Sequence, residues 1–357
     1  MVSERRFPVL LPLLLAGLAA CALALLGALW APEAALSGWL AAYVFWSAVP
    51  VGALGLLMMM RLIPGAWADE LSLPAEACML LAPLAVAAVL PVLLGMDMLY
   101  PWTAGVEAKG MRPLYLTSWF FILRTASFWA VVGLLLALLL LRRAWSTPVA
   151  SGGLILFVLF GTTMAVDWLM SLEPDFHSSG FGLYVLSIQL TLALAVLIPV
   201  RLLRSAPPGR PAVLGGLLLT AILLWVYFAF MQYFIIWSGN LPPGVQWYAT
   251  RATPVWNGAA QASAALQLLP ALLLLFPLVR QSRVWLLVLC ALVLAGKALE
   301  ILWLVLPATD SGGMMAPFAF LLAWLGLGAL SLAGLVLALP LARRLRQVAG
   351  QALEAAP

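Results

Sequence analysis

An all-α polytopic membrane protein is the fold class this sequence predicts, and three observations predict it. The chain has 357 residues, of which 9% are charged and 65% hydrophobic, whereas a soluble domain carries roughly a quarter charged residues. Its apolar runs last long enough to cross a bilayer and do not alternate apolar with polar, which selects helices over a barrel. Its arginines collect in the short connections between those runs. The net charge of +5 therefore reads as membrane topology, and nucleic-acid binding is not expected.

Ten spans fit, at about 9–30, 38–60, 75–97, 113–141, 150–172, 179–204, 212–238, 257–279, 283–306 and 316–340. Each is near or above the ~20 residues needed for ~30 Å of hydrocarbon. They make one integral membrane domain over 1–357. The first follows Met1 to Arg6 as a signal peptide would, but its apolar run passes Trp30 without a cleavage site, so a retained span is expected. Spans four, six and seven are long enough to tilt or protrude. Charge, Pro and Gly mark the connections from Arg61 to Pro74, Pro101 to Pro113, Arg142 to Pro148, Ala206 to Pro211 and Gly239 to Pro254. Pro83, Pro91, Pro199 and Pro270 are candidate helix breaks. Spans one, two and ten hold almost nothing polar in mid-membrane and read as packing helices.

Orientation follows from the cations. On the side of the N-terminus fall Arg5, Arg6, Arg61, Arg142, Arg143, Arg201, Arg204, Arg210, Arg280, Arg283, Arg343, Arg344 and Arg346; on the other fall Lys109, Arg112 and Arg251. The positive-inside rule then puts both termini in the cytoplasm. The outer loops, with Glu33, Asp97, Glu107, Glu173, Asp175, His177 and Asp310, are mostly too short to fold as an external domain.

Ionisable groups inside spans are the sharpest functional signal, because hydrocarbon tolerates them only when paired, hydrated or neutralised. Arg124 falls about eleven residues into span four, ~16 Å along its axis. Asp167 lies about five residues before the outer end of span five, ~8 Å deep, and the opposite signs make the two candidate partners. Lys297 and Glu300 share a face of span nine, as a structural ion pair or as a proton-conducting or ligand-contacting pair. Asn257 and Gln261 share a face, with Gln189, Gln232 and Gln267 in neighbouring spans. Each alone reads as an interhelical hydrogen bond; together they suggest a hydrated or ligand-lined interior among spans four to nine. The sole histidine, His177, follows Asp175 in a turn, where it is either a proton acceptor or a surface residue.

Other chemistry is excluded or left without support. One histidine cannot supply a bis-histidine haem. No P-loop, GxGxxG or HExxH motif is present, and Cys21, Cys78 and Cys290 have no ligand spacing. The sixteen Trp, including Trp102, Trp119, Trp145, Trp168, Trp237, Trp247 and Trp256, mostly stand near span ends as an aromatic belt.

Two stretches carry a family resemblance. Asp167-Trp168-Leu169-Met170-Ser171-Leu172-Glu173-Pro174-Asp175-Phe176-His177-Ser178-Ser179, with Phe181-Gly182, is one, and Phe230-Met231-Gln232-Tyr233-Phe234-Ile235-Ile236-Trp237-Ser238-Gly239-Asn240-Leu241-Pro242 is the other. Both resemble motifs of the second large membrane subunit of alternative complex III, the quinol:cytochrome c oxidoreductase quinone-binding subunit 2, which is similar to the NrfD and polysulfide-reductase membrane anchors. The resemblance implies two four-helix bundles plus two peripheral helices, in a bacterial inner membrane. It implies a complex with a homologous larger anchor subunit, a periplasmic iron–sulfur protein and c-type cytochromes, set among lipids. Haem c and iron–sulfur clusters would belong to those partners, and quinone or menaquinone would bind at a subunit interface, with the larger anchor the stronger candidate for the quinol pocket. Proton-path or quinol-proximal candidates in this chain are Asp167, Glu173, Asp175, His177, Arg124, Lys297, Glu300, Gln232 and Gln261. A scaffold without such a role and an independent secondary transporter are the alternatives.

Overall fold

The computed structural model describes residues 7–105, 112–141, 146–204, 209–309 and 313–354. Arg5, Arg6, Glu107, Lys109, Arg142, Arg143, Trp145 and Asp310 lie outside them. Sixteen helices follow in order: α1 Phe7–Leu26, α2 Pro32–Leu62, α3 Ala66–Met79, α4 Ala82–Ala88, α5 Leu90–Leu94, α6 Met96–Leu99, α7 Arg112–Tyr115, α8 Ser118–Leu141, α9 Ser146–Trp168, α10 Phe181–Leu202, α11 Pro211–Gly239, α12 Pro242–Thr250, α13 Pro254–Leu274, α14 Pro277–Arg280, α15 Arg283–Val305 and α16 Met315–Glu354. No strand occurs among the described residues. The fold is all-α, and among the described residues nine helical stretches are long and apolar enough to cross a membrane. The expected span at 257–279 is a helix, α13, but with Asn257, Gln261, Ser263 and Gln267 it is not among the nine.

Helix boundaries follow their local chemistry. Proline opens α2, α11, α12, α13 and α14, where its missing N–H is no loss. Thr253 and Ser282 cap α13 and α15 by accepting from the N–H groups of Trp256 and Trp285. Asn240 ends α11 in the left-handed region, φ 45°.

The third span departs from expectation. Helix begins at Ala66, well before the expected 75, and then breaks at Leu80–Leu81, Val89 and Gly95 into α3 to α6. Pro83 and Pro91 account for two of the breaks, since each removes a helical donor and clashes with the preceding turn. Pro199 and Pro270, by contrast, are carried inside α10 and α13 close to their C-terminal ends.

Packing makes α2 the axis. It is buried over 94% of its apolar window, against 22% for α1, and it packs on α16, α10, α3 and α9. Two glycines allow this: a methyl group on Gly38 would strike the α16 backbone at Ala316 and Phe320, and one on Gly52 would strike the α10 backbone at Gln189. Around that axis, α10 carries α11 and α15, and α13 lies against α15.

At one end of the molecule charges are tied across helices. Glu76 of α3 accepts from Arg61 of α2 at 2.9 Å and Arg346 of α16 at 2.5 Å, and Glu70 pairs with Arg201 of α10 at 2.8 Å. Asp167, Glu173 and His177 lie toward the opposite end, one full length of α10 away. The sites described next lie on that side and below it.

Candidate functional site

Arg124 and Asp167 meet, as their signs predicted. Arg124 Nε donates to Asp167 Oδ2 at 2.7 Å and Nη2 to Oδ1 at 3.0 Å, a bidentate fork between α8 and α9. The third arm, Nη1, donates to the Tyr115 carbonyl at 2.9 Å, and the guanidinium lies 3.8 Å from the Tyr115 ring centroid. The position of Arg124 needs correction, while Asp167 stands five residues before the end of the apolar stretch at Leu172, as expected. α8 starts at Ser118 because the chain bends at Leu116–Thr117, so Arg124 is six residues in, about 9 Å along the helix and not eleven residues. Asp167 is the penultimate residue of α9. The pair is buried at a helix end.

A second pair joins Glu173, just after α9, to Arg251, just after α12, with 2.6 Å between Oε1 and Nη2. Arg251 is 3% exposed and its remaining donors are used: Nη1 gives to the Trp247 carbonyl (2.9 Å) and Thr250 Oγ1 (3.1 Å), Nη2 to the Leu304 carbonyl (3.1 Å) and Nε to the Trp303 carbonyl (3.3 Å). The guanidinium stacks 3.8 Å from the Trp247 ring centroid. Burial pulls the Arg251 pKa below its ordinary value, and the Glu173 carboxylate works against that pull.

The third charge group gathers donors from four helices. Glu300 Oε2 accepts from Lys297 Nζ at 2.8 Å and Gln267 Nε2 at 3.2 Å; Oε1 accepts from Tyr184 Oη at 2.5 Å and Trp225 Nε1 at 2.6 Å. Donors from α10, α11, α13 and α15 thus converge on one carboxylate. Lys297 is fully buried with Nζ 3.7 Å from the Trp225 ring centroid. Ser263 Oγ ties α13 to α15 by donating to the Gly296 carbonyl at 2.9 Å.

These two groups border one cavity of about 440 Å³, whose lining includes Glu300, Tyr184, Trp225, Gln232, Arg251 and Trp303. That is the size range of small-molecule sites. Two donors on its wall, Gln232 Nε2 and Trp303 Nε1, are buried without a hydrogen-bond partner, an arrangement that ordinarily awaits a ligand or water. Gln232 Oε1 is already satisfied by Ser178 Oγ at 2.6 Å, which fastens the loop after α9 to the cavity wall. Aromatic faces with two free donors and a carboxylate can hold a flat ring bearing carbonyl or hydroxyl oxygens, or a short file of water.

The expected site residues therefore divide. Glu173, Gln232, Lys297 and Glu300 surround the cavity or touch a residue that does; Arg124 and Asp167 form a separate closed pair. His177 and Asp175 are exposed, with His177 Nδ1 3.0 Å from the Asp175 carbonyl oxygen, beside a different hollow of about 400 Å³ that also touches Tyr115 and Ser171. Gln261 is exposed on the outer face of α13 and does not line the cavity, whereas Asn257 and Ser263 do. Sequence reasoning missed Arg251, Tyr184, Trp225 and Trp303. Arg251 had a signal: it is the one cation between Asn240 and Pro254, next to Trp247-Tyr248 and opposite in sign to Glu173. The aromatic belt also divides. Trp119 and Trp237 are exposed at helix ends, but Trp168 and Trp247 are buried, Trp247 against Arg251.

Among the described residues no three of His, Cys, Asp and Glu gather as metal ligands, and the three cysteines are free and buried. No protein-family model matches this chain, and no curated protein matches it in sequence.

Proposed function

We propose that this chain is a membrane subunit of a quinol:cytochrome c, or other quinol:acceptor, oxidoreductase complex, and that it conducts protons released by quinol oxidation toward the end of the bundle carrying Glu173. The observation that carries the reading is Glu300, a buried carboxylate with four donors, opening on a cavity that also touches Arg251, which is paired with Glu173. Oxidation of a quinol releases two protons with two electrons. The electrons need metal centres, which the proposal assigns to the iron–sulfur and haem c partners. The protons need titratable groups and confined water, which the cavity offers. Gln232 Nε2 and Trp303 Nε1 are placed to hold water or a quinol oxygen beside Glu300.

The likeness of the 167–182 and 230–242 stretches to the alternative complex III quinone-binding subunit 2 supports the same assignment. On this reading both termini are cytoplasmic, the membrane is a bacterial inner membrane, and the helices form two four-helix bundles with two flanking helices. A larger homologous anchor and the periplasmic cofactor subunits would dock beside them.

Substituting Glu300→Gln keeps the size of the side chain and one accepting oxygen while removing its titration and the charge opposite Lys297. In the assembled complex the variant is expected to lower quinol-dependent turnover by about a hundredfold, with subunit composition unchanged. Wild-type turnover and proton release in an intact Glu300→Gln complex would sink the proton role. A second reading, a purely structural anchor, is favoured by one observation: Arg124, Arg251 and Lys297 each sit within 3 Å of a carboxylate. Under that reading only assembly, and not turnover per complex, responds to the substitution.

A further inference from the structure

At the opposite end of the molecule, a groove of about 380 Å³ runs between α10 and α16 over a floor contributed by α2 and the α3–α4 break. Its walls are hydrocarbon: Val196, Pro199 and Val200 on one side face Leu332, Leu335 and Val336 on the other. The indole of Trp46 in its floor is already used, donating to the Trp324 carbonyl at 2.8 Å. One charged residue lines it, Arg204, directly after the end of α10. Arg204 Nε is buried with no hydrogen-bond partner. Its cationic neighbours are Arg201, Arg343 and Arg346. Two of these are neutralised, Arg201 by Glu70 and Arg346 by Glu76. Among the described residues no carboxylate pairs with Arg204 or with the exposed Arg343.

A hydrocarbon groove ending at Arg204, with the uncompensated Arg343 as its cationic neighbour, asks for one molecule that is apolar along its length and anionic at its head. We propose that this groove binds an anionic phospholipid, with an acyl chain between α10 and α16 and the phosphate on Arg204 and Arg343. Basic pockets between membrane helices recognise anionic headgroups in this way. A bound phosphate gives Arg204 Nε its missing acceptor and relieves the crowding of like charges. Burial, followed by the repulsion of Arg343, Arg201 and Arg346, otherwise pushes the Arg204 pKa below its ordinary value. The inference is independent of the proton reading, because the groove shares no lining residue with the Glu300 cavity.

The test is native mass spectrometry of the purified full chain in detergent, offered phosphatidylglycerol or phosphatidylcholine with identical acyl chains. Wild type is expected to retain phosphatidylglycerol preferentially, by about fivefold for each arginine engaged. Arg204→Gln and Arg343→Gln should each lose about that factor. Val336→Phe, which fills the groove and leaves the arginines in place, should lose retention of the lipid altogether. Equal retention of the two lipids by wild type would reduce the groove to ordinary annular contact. Displacement of the bound lipid by inorganic phosphate alone would make it a plain anion site; either result overturns the proposal, as does wild-type retention by Arg204→Gln. Should Arg204→Gln fail to fold, the exposed Arg343 and the half-buried Val336 carry the same decision, since neither substitution removes a buried contact between polar groups.

Discussion

At the residue scale, a buried charge is informative through what happens when its partner is removed. The Arg124–Asp167 fork contributes little net stability as a pair, because desolvation offsets most of the attraction; removing one member leaves the other charge stranded. Asp167→Ala is therefore expected to destabilise the protein by about 3–5 kcal/mol, read as a lowered unfolding transition in detergent. The paired replacement Arg124→Met with Asp167→Leu should recover most of that loss. Asp167→Asn addresses the chemistry separately: if the pair only holds α8 to α9, turnover per assembled complex stays at the wild-type value. At Glu300 the donors can be removed one at a time. Tyr184→Phe deletes a hydrogen bond to a charged acceptor and is expected to lower stability by about 1.5–3 kcal/mol. Gln261→Leu, on the exposed face of the same helix that carries Gln267, should stay within about 0.5 kcal/mol of wild type.

The contrast between Gln261 and Gln267 also marks what the sequence could reveal about the site. Both are glutamines on α13, about 120° apart around its axis, and the choice of which faces α15 is made by packing. Asp167 with Arg124, and Lys297 with Glu300, were legible because opposite charges in hydrocarbon must find each other. Arg251 lies in a connection, where a cation is cheap to expose, and nothing local says that Trp247 and Trp303 will bury it. Tyr184 and Trp225 look like two more large residues in apolar helices until the fold brings both to Glu300.

At the scale of elements, the long apolar helices were legible from run length alone, and their interruptions only where proline stands. The α3–α6 series begins early because Asp69 and Glu70, which read as a polar connection, are matched in space by Arg210 and Arg201, as Glu76 within the expected span is by Arg346. A helix with three carboxylates is stable there because other helices bring the cations. α2 was expected to be one packing helix among several, and its place as the axis rests on small residues at its contacts. Gly52→Leu forces a side chain into the α10 backbone and is expected to cost about 1–3 kcal/mol or more, seen as a lower thermal midpoint in detergent. Gly133 on α8 supplies the control, since an added methyl group there meets nothing within 4 Å. Gly133→Ala should stabilise its helix by about 0.5–1 kcal/mol.

At the scale of the whole molecule, the question is how the charges are divided between the two ends. The cations expected on one side do gather at one end, Arg61, Arg201 and Arg346 held by Glu70 and Glu76 and Arg204 beside them. Glu173, His177 and the Arg251 wall of the cavity lie toward the other, separated by α10, whose 22 residues span about 33 Å. Under the proposed function, with the arginine-rich end placed in the cytoplasm as the positive-inside rule expects, a proton leaving Glu300 by way of the cavity would emerge on the far side. Direction and orientation stand or fall together. Cys21, Cys78 and Cys290 are buried, so single cysteines can be introduced at the exposed positions Asp175 and Gln347 with little background labelling. In intact cells stripped of their outer envelope, a membrane-impermeant maleimide is expected to label Asp175→Cys at once and Gln347→Cys only after the membrane is opened. The reverse pattern would place Glu173 and the Arg251 wall of the cavity on the cytoplasmic side. Protons released through the cavity would then return to the compartment they are meant to leave, and the proposed role in quinol oxidation would lose its physical sense.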